Sequence, residues 1–506
     1  MVNLPDIISI ELPDGQKYDQ PTGLFINNEF IPSIKKTTWT SINPATEEEN
    51  ATVYCATEED VDNAIGVARG AFKSTWKKFP AGERSKLILK LADLIDANKL
   101  LLAGIEAYDS GKPKMTNCLY DIEDVANVFR YYGGWADKIQ GKTIPIDGKH
   151  LSYTIHEPHG VVGQIIPWNY PLDMLAWKIA PAIAAGNTVV LKTSELTPLS
   201  ALYFGKLIVE AGIPPGVVNI LTGTGSVVGK YLAGHPGIDK VAFTGSTKVG
   251  KLVQSLASTN LNSVSMETGG KSPAIVFDDA NIDKTLYWTA MGIFYNSGQV
   301  CSATSRILVQ DTIYDEFVER FREFSEKSYR CGDPFSDAGV PEDDVTIIGP
   351  QISGSQKTVI LEYIESGQLQ GARLILGGCE QPVDLKKGYY VQPTIFADVT
   401  PEMKIFKEEI FGPVVTITKF STTEEAIELA NRTEYGLGGS IFTKDLAKAH
   451  LVSSDLEIGT IWVNSSNESS PQVPFGGVKM SGFGRELGEY SLQLYTQVKS
   501  ITINFE

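Results

Sequence analysis

The sequence predicts an α/β fold built on parallel sheets, for two reasons. Short β-branched runs at 161–166, 188–191, 217–221, 240–243 and 263–266 alternate with helical stretches at 173–185, 198–211, 226–234 and 247–258. Alternation at this spacing implies a parallel sheet with helices on both faces. A second alternating block then follows: a strand near 272–277, a helix over 281–297, a strand over 306–310, a helix over 313–328, and strands over 414–420 and 460–464.

The first 60 residues read as extended and loop-rich, with a turn at Asn43-Pro44-Ala45-Thr46. Helical periodicity spans Glu59 to Phe72, Ala81 to Tyr108 and Asp121 to Asp137. The acidic stretch 331–345, with its Pro and Gly, predicts a loop. The stretch 495–503 alternates apolar and polar residues, so it predicts a strand that must pair with something, another subunit being one choice. At ~150 residues per domain, 506 residues predict about three domains.

Composition is that of an ordinary globular protein, with 42% hydrophobic and 21% charged residues. Acidic residues outnumber basic ones, 61 to 44, and the net charge of −17 argues against nucleic acid or an anionic membrane as partner. No apolar run reaches the ~20 residues of a membrane helix. The N-terminal residues carry no basic leader and no Arg precedes Arg69. Cys55, Cys118, Cys301, Cys331 and Cys379 show no metal-ligand spacing, and the five histidines are scattered, so no metal site is expected. An odd, sparse cysteine set suits a reducing compartment, and the cytosol is the expected location.

One cysteine stands apart. Cys301 lies in Asn296-Ser297-Gly298-Gln299-Val300-Cys301-Ser302, after an expected helix end and ahead of Arg306. An electropositive neighbour lowers a thiol pKa, and Arg306 is the expected source. Upstream, Glu267 precedes Thr268-Gly269-Gly270, where glycines permit close approach. A thiolate makes a covalent intermediate, and a separate carboxylate then activates water. The turn Pro167-Trp168-Asn169-Tyr170-Pro171 offers a fixed amide donor for charge developing on oxygen. There is no GxGxxG, but Phe243-Thr244-Gly245-Ser246-Thr247 follows a strand and opens a helix, a place for a pyrophosphate. Lys192-Thr193-Ser194-Glu195 closes another strand. A carboxylate there accepts bonds from ribose hydroxyls and repels a 2′-phosphate, so Glu195 favours NAD over NADP.

These segments, in this order, resemble the signatures of the aldehyde dehydrogenases, and the resemblance runs from about residue 21 to the C-terminus. It implies a Rossmann-like nucleotide-binding domain over 1–137 and 156–270, an α/β catalytic domain over 271–480, and a small β oligomerisation arm over 138–155 and 481–506. It implies Cys301 as nucleophile, Glu267 as base, and Asn169 with the Cys301 amide as oxyanion donors. Lys178 enters as a support for proton transfer or structure. The implied NAD contacts are Ile166, Pro167, Trp168, Asn169, Lys192, Ser194, Glu195, Gly225, Gly245, Ser246, Val249, Glu267, Thr268 and Gly269. Gln356, Glu409 and Phe411 join them at the nicotinamide end.

Three departures from the family pattern stand out. Met266 and Thr268 flank Glu267 where leucines are usual. Val359 replaces a lysine that often follows Gln356, removing one ribose contact. Ser465 to Val473 is polar and carries Glu468 beside Ser469, where relatives acting on hydrophobic aldehydes often place an aromatic. With Tyr170, Trp177 and Phe475 opposite, this mouth suits either small aldehydes in general or a cationic aldehyde such as an aminoaldehyde. The segment Pro474 to Glu486 matches another signature, with a structural role. The resemblance also implies a homodimer or homotetramer.

Rival readings use fewer of these features. A thiol hydrolase needs Cys301 and Glu267 but not the nucleotide segments. A CoA-acylating dehydrogenase has no need of Glu267 as hydrolytic base. A non-catalytic protein has no reason to keep Cys301, Glu267 and Asn169 together.

Overall fold

The computed structural model describes residues 4–336 and 345–506. Most of the segment expected to loop, 331–345, therefore lies outside the described residues.

Five parallel strands form the centre of an eight-stranded sheet. In spatial order they are Ser263–Glu267, Lys240–Thr244, Val161–Ile165, Thr188–Lys192 and Val218–Leu221. Most of their side chains are buried on both faces, as crossover helices require. Chain order reverses between Val161–Ile165 and Lys240–Thr244. Such a switch point opens a crevice at the carboxyl ends of the strands. Antiparallel strands Leu24–Ile26 and Gly482–Phe483 flank this centre, and Glu29–Ile31 extends it.

The second sheet has seven strands, with Pro273–Val276 and Arg306–Gln310 at its centre. The strand Ser263–Glu267 is separated from Pro273–Val276 by Thr268 to Ser272 alone. Carboxyl ends of the first sheet therefore meet amino ends of the second. Arg306, at the start of its strand, is fully buried. Its guanidinium donates to the carbonyls of Lys271, Leu429 and Ala430, each at 2.8 Å.

Several boundaries differ from the sequence reading. The span 81–108 is two helices, Ala81–Ala97 and Lys99–Ser110, broken at Asn98. The helix expected over 281–297 stops at Phe294, because Asn296 and Ser297 take positive φ of 47° and 56°. The stretch 226–234 is a wide turn, Gly225–Gly229, followed by one short helix, Lys230–Gly234. Strands Arg373–Leu376, Thr394–Ala397 and Gly438–Phe442 and helix Gly354–Leu369 were not anticipated.

The C-terminal strand Thr496–Asn504 pairs antiparallel with His150–Pro158 of the same chain, which pairs in turn with Thr143–Ile144. Its partner is thus intramolecular. This three-stranded sheet also begins later than residue 481, because Gly482–Phe483 belongs to the large sheet and Gly488–Leu494 is a helix. It extends to Pro158 rather than ending at 155.

The buried Arg306 leads to a stability prediction. Arg306→Met removes the donor to three carbonyls and should cost about 3–5 kcal/mol. Chemical denaturation should show a clearly lowered unfolding midpoint; an unchanged midpoint would contradict the role given to this side chain.

Candidate active site

A cleft of about 960 Å³ runs along the line where the two sheets meet, and Asn169, Glu267 and Cys301 all line it. The three residues come from distant parts of the sequence. Asn169 sits on the turn after strand Val161–Ile165, Glu267 ends strand Ser263–Glu267, and Cys301 precedes strand Arg306–Gln310.

The Cys301 loop is held by side-chain to backbone bonds. The Asn169 amide donates to the Gln299 carbonyl at 2.9 Å, and the Asn296 amide donates to the Asn169 carbonyl at 3.1 Å. Ser297 donates its hydroxyl to the Gly349 carbonyl at 2.8 Å. Gly298 has φ 72°, and a Cβ there would lie 2.1 Å from the Gly412 carbonyl oxygen. The left-handed run 296–298 is thus fixed against its neighbours, as strained backbone at a site requires. Asn169 keeps one amide hydrogen for a ligand, because a carboxamide nitrogen carries two.

Cys301 and Glu267 are neighbours on the cleft wall, and the Glu267 Oε1 has no hydrogen-bond partner. Burial, then the adjacent Glu267 carboxylate, push the Cys301 thiol well above its ordinary range. Burial likewise pushes Glu267 up to about 7, against the Cys301 hydrogen bond and the charge of Lys178. The expectation that Arg306 lowers the thiol pKa is overturned. Arg306 is committed to backbone carbonyls, and the thiol's near neighbour is an acid.

The double glycine after Glu267 has a clear steric reason. A Cβ at Gly269 would fall 2.1 Å from the Glu409 carboxylate, and one at Gly270 would fall 2.6 Å from the Cys301 carbonyl oxygen. Gly270 N–H donates to Glu409 at 2.9 Å. The C-terminal signature pins the same turn. Ser481 donates to the Gly269 carbonyl at 2.7 Å, and Thr268 donates its hydroxyl to the Met480 carbonyl at 2.7 Å. The Thr268 hydroxyl is therefore occupied and does not act on Glu267. Lys178 is fully buried, pairs with Glu486 at 2.6 Å, and stands behind the cleft wall rather than in it. The sequence quoted Glu486 as part of a structural segment; nothing in its spacing marked it as the partner of Lys178.

One arm of the cleft suits a dinucleotide. Ile166, Pro167, Trp168, Lys192, Ser194, Glu195, Gly245, Ser246 and Val249 line it. The buried Thr244 hydroxyl points there with no partner. Ser246 caps helix Thr247–Ser258, so the helix N-terminus opens on the cleft. Lys192 pairs with Glu195 at 2.8 Å, and Gly225 N–H donates to the other carboxylate oxygen at 3.2 Å. Burial raises the Glu195 pKa, but Lys192 and the Gly225 amide outweigh it and hold the net value low. Gly225 thus supports Glu195 and does not line the cleft.

At the far end of this arm, Phe411 has φ 58°, and its ring meets Trp168 edge-on at 5.3 Å. Gln356 lines the cleft, and its amide donates to the Phe411 carbonyl at 3.1 Å. Val359 presents an apolar side chain beside it, and Glu409 closes the end.

The other arm leads out past Tyr170, Trp177, Glu468, Ser469 and Phe475. Trp177 and Phe475 meet edge-to-face at 5.5 Å. Sequence reasoning missed three acids on this arm, Asp121, Asp124 and Asp173. Asp173 had a signal of its own, since it and Lys178 are the charged residues of a mostly apolar helix, Pro171–Ala184.

Comparison with known proteins agrees with this geometry. The model of the aldehyde dehydrogenase family matches residues 30–501. An aldehyde dehydrogenase of Aspergillus niger is 51% identical, over 97% of each chain. The structure of an NAD+ complex of aldehyde dehydrogenase from Bacillus cereus superposes with TM-score 0.92 at 45% identity, covering 96% of this chain and 97% of that one. A betaine aldehyde dehydrogenase from Staphylococcus aureus, solved in complex with NAD+, superposes equally well at 40% identity, covering 96% of this chain and 95% of that one. With the family's two active-site signatures meeting in one cleft between two α/β units, the chain belongs to the aldehyde dehydrogenase family.

Proposed function

We propose that this protein oxidises an aldehyde to a carboxylic acid with NAD, through a thiohemiacetal and then a thioester on Cys301, hydrolysed with Glu267 as base. The convergence of Cys301, Glu267 and Asn169 on one cleft carries this reading. We assign the unit around the eight-stranded sheet to NAD and the unit around the seven-stranded sheet to the nucleophile.

Glu267 is the group beside the thiol that takes its proton as sulfur attacks the carbonyl carbon. The new C–S bond leaves negative charge on oxygen, which meets the free Asn169 amide hydrogen and the Cys301 N–H. NAD, when bound, supplies the two-electron acceptor for the aldehyde's hydride. Glu267, once its proton has gone to solvent, accepts a proton from water as the water oxygen attacks the thioester. Cleavage of the C–S bond returns the thiolate, which regains a proton, and releases the acid.

The cofactor arm holds its ligand through Glu195 for ribose hydroxyls, Thr244 and the helix start at Ser246 for phosphate, and Glu409 and Phe411 at the nicotinamide end. Relatives whose structures were solved in complex with NAD+ support that assignment. A hydrolase would have no use for this arm. The strand Thr496–Asn504 has no neighbour on its other side among the described residues, and Val498 and Phe505 are exposed there. That edge supports a homodimer or homotetramer. Five free cysteines suit the cytosol.

Four outcomes are expected. Cys301→Ala should abolish NADH formation and ester hydrolysis alike, whereas Glu267→Gln should accumulate an acyl-enzyme visible as a mass increase; normal turnover in the latter would remove Glu267 as base. Because Glu267 sits at about 7 and must be ionised to accept a proton, ester hydrolysis should fall as pH drops through about 7. A flat profile between pH 5 and 8 would contradict that. Glu195→Gln should raise NADP use relative to NAD by about tenfold, or ~1.4 kcal/mol; an unchanged ratio of kcat/KM values would take Glu195 out of cofactor choice.

A further inference from the structure

The outer arm of the cleft is acidic as well as aromatic. Helix Leu119–Trp135 contributes Asp121 and Asp124, three residues apart and so on one face. Helix Pro171–Ala184, packed against it, contributes Asp173 and, one turn on, Trp177. All four line the cleft.

The charges on this wall do not balance. Lys112, fully buried, pairs with Asp121 and lies 3.5 Å from Glu106. Its ammonium also stands 3.9 Å from the centre of the Tyr170 ring. Lys112 is thereby shared between two acids and an aromatic face. Asp124 and Trp177 share this wall, and the Trp177 indole N–H makes no hydrogen bond. Asp173 is 5% exposed, and its Oδ1 has no hydrogen-bond partner. A buried carboxylate oxygen without a donor is costly, and a ligand that brings N–H groups relieves the cost.

We infer that this wall binds the ammonium group of an ω-aminoaldehyde, with Asp173 and Asp124 as its carboxylate partners and Trp177 and Tyr170 as flanking aromatic faces. The inference rests on the aldehyde oxidation proposed above and names its substrate class. A primary ammonium fits better than a quaternary one. Asp173 Oδ1 lacks a donor, and a quaternary nitrogen has no N–H to give; aromatic faces alone satisfy such a cation. Glu468, at the exposed rim of the same arm, adds negative potential along the entry path. Burial and the neighbouring acids raise the pKa values of Asp124 and Asp173, so cation binding should also draw protons off this wall.

The test compares 3-aminopropanal with butanal, which has a methyl group where the former has its ammonium, using the native enzyme and NAD. The expected kcat/KM ratio favours 3-aminopropanal by tenfold or more. Asp173→Asn and Asp124→Asn, each close to isosteric, should each reduce that ratio by tenfold or more. Propylammonium should compete with 3-aminopropanal in the native enzyme, a readout that requires no variant. A ratio near one, or a ratio unchanged in both variants, would overturn the assignment. A preference for betaine aldehyde over 3-aminopropanal would overturn the choice of a primary ammonium. Butanal oxidised without any cation preference would sink this inference alone; no NADH from any aldehyde would sink the proposed function itself.

Discussion

A thiol and a carboxylate side by side in one cleft are an unfavourable pair unless one of them carries a proton. That constraint governs the site around Cys301 and Glu267. Burial disfavours charge on both, and the Glu267 carboxylate disfavours charge on sulfur, whereas the protonated thiol favours it on Glu267. At neutral pH the pair therefore holds a proton that sulfur can give up only to its neighbour. Reactivity in this arrangement comes from a base within reach, not from a thiolate formed in advance.

Bringing the pair together takes both sheets. Glu267 ends a strand of one, Cys301 precedes a strand of the other, and few residues join the two sheets along the chain. Double glycine at 269–270 removes the side chains that would keep Glu409 and the Cys301 carbonyl apart. Arg306 ties Lys271 to the carbonyls of Leu429 and Ala430. Ser481 and Met480 hold the Glu267 turn from the C-terminal side, and Glu486 anchors Lys178 behind it. The signature from Pro474 to Glu486 is therefore a clamp on the base.

Much of this was legible in the sequence. Parallel strands buried on both faces leave near-continuous apolar runs, so the five central strands of the first sheet were readable, whereas its antiparallel flanking strands were not. Cys301, Glu267 and Asn169 were singled out by the family resemblance together with their glycine and proline settings, and all three line one cleft. What failed has physical causes. The strand Gly438–Phe442 opens on two glycines and Thr394–Ala397 follows a proline, so neither shows as a β-branched run. Asn296 and Ser297 adopt φ values that propensity does not foresee, so the preceding helix was read too long. Arg306 looked like a neighbour of Cys301 because five positions separate them, yet strand direction sends its guanidinium to the second unit. Asp173 sits in an apolar helix where a lone acid reads as a surface residue; its meaning depends on Asp121 and Asp124, some fifty positions away, and on Lys112 being already paired.

The central claim is that the resting Cys301 thiol is protonated and leans on Glu267. Alkylation of the nucleotide-free protein by iodoacetamide across pH 6 to 10, with modification at Cys301 followed by peptide mass, measures it directly. The account predicts slow alkylation at neutral pH that is still rising beyond the ordinary thiol range, because the thiolate forms late. A rate already at its plateau below pH 7 would mean a preformed thiolate, and would contradict the pairing on which the rest of the site is built.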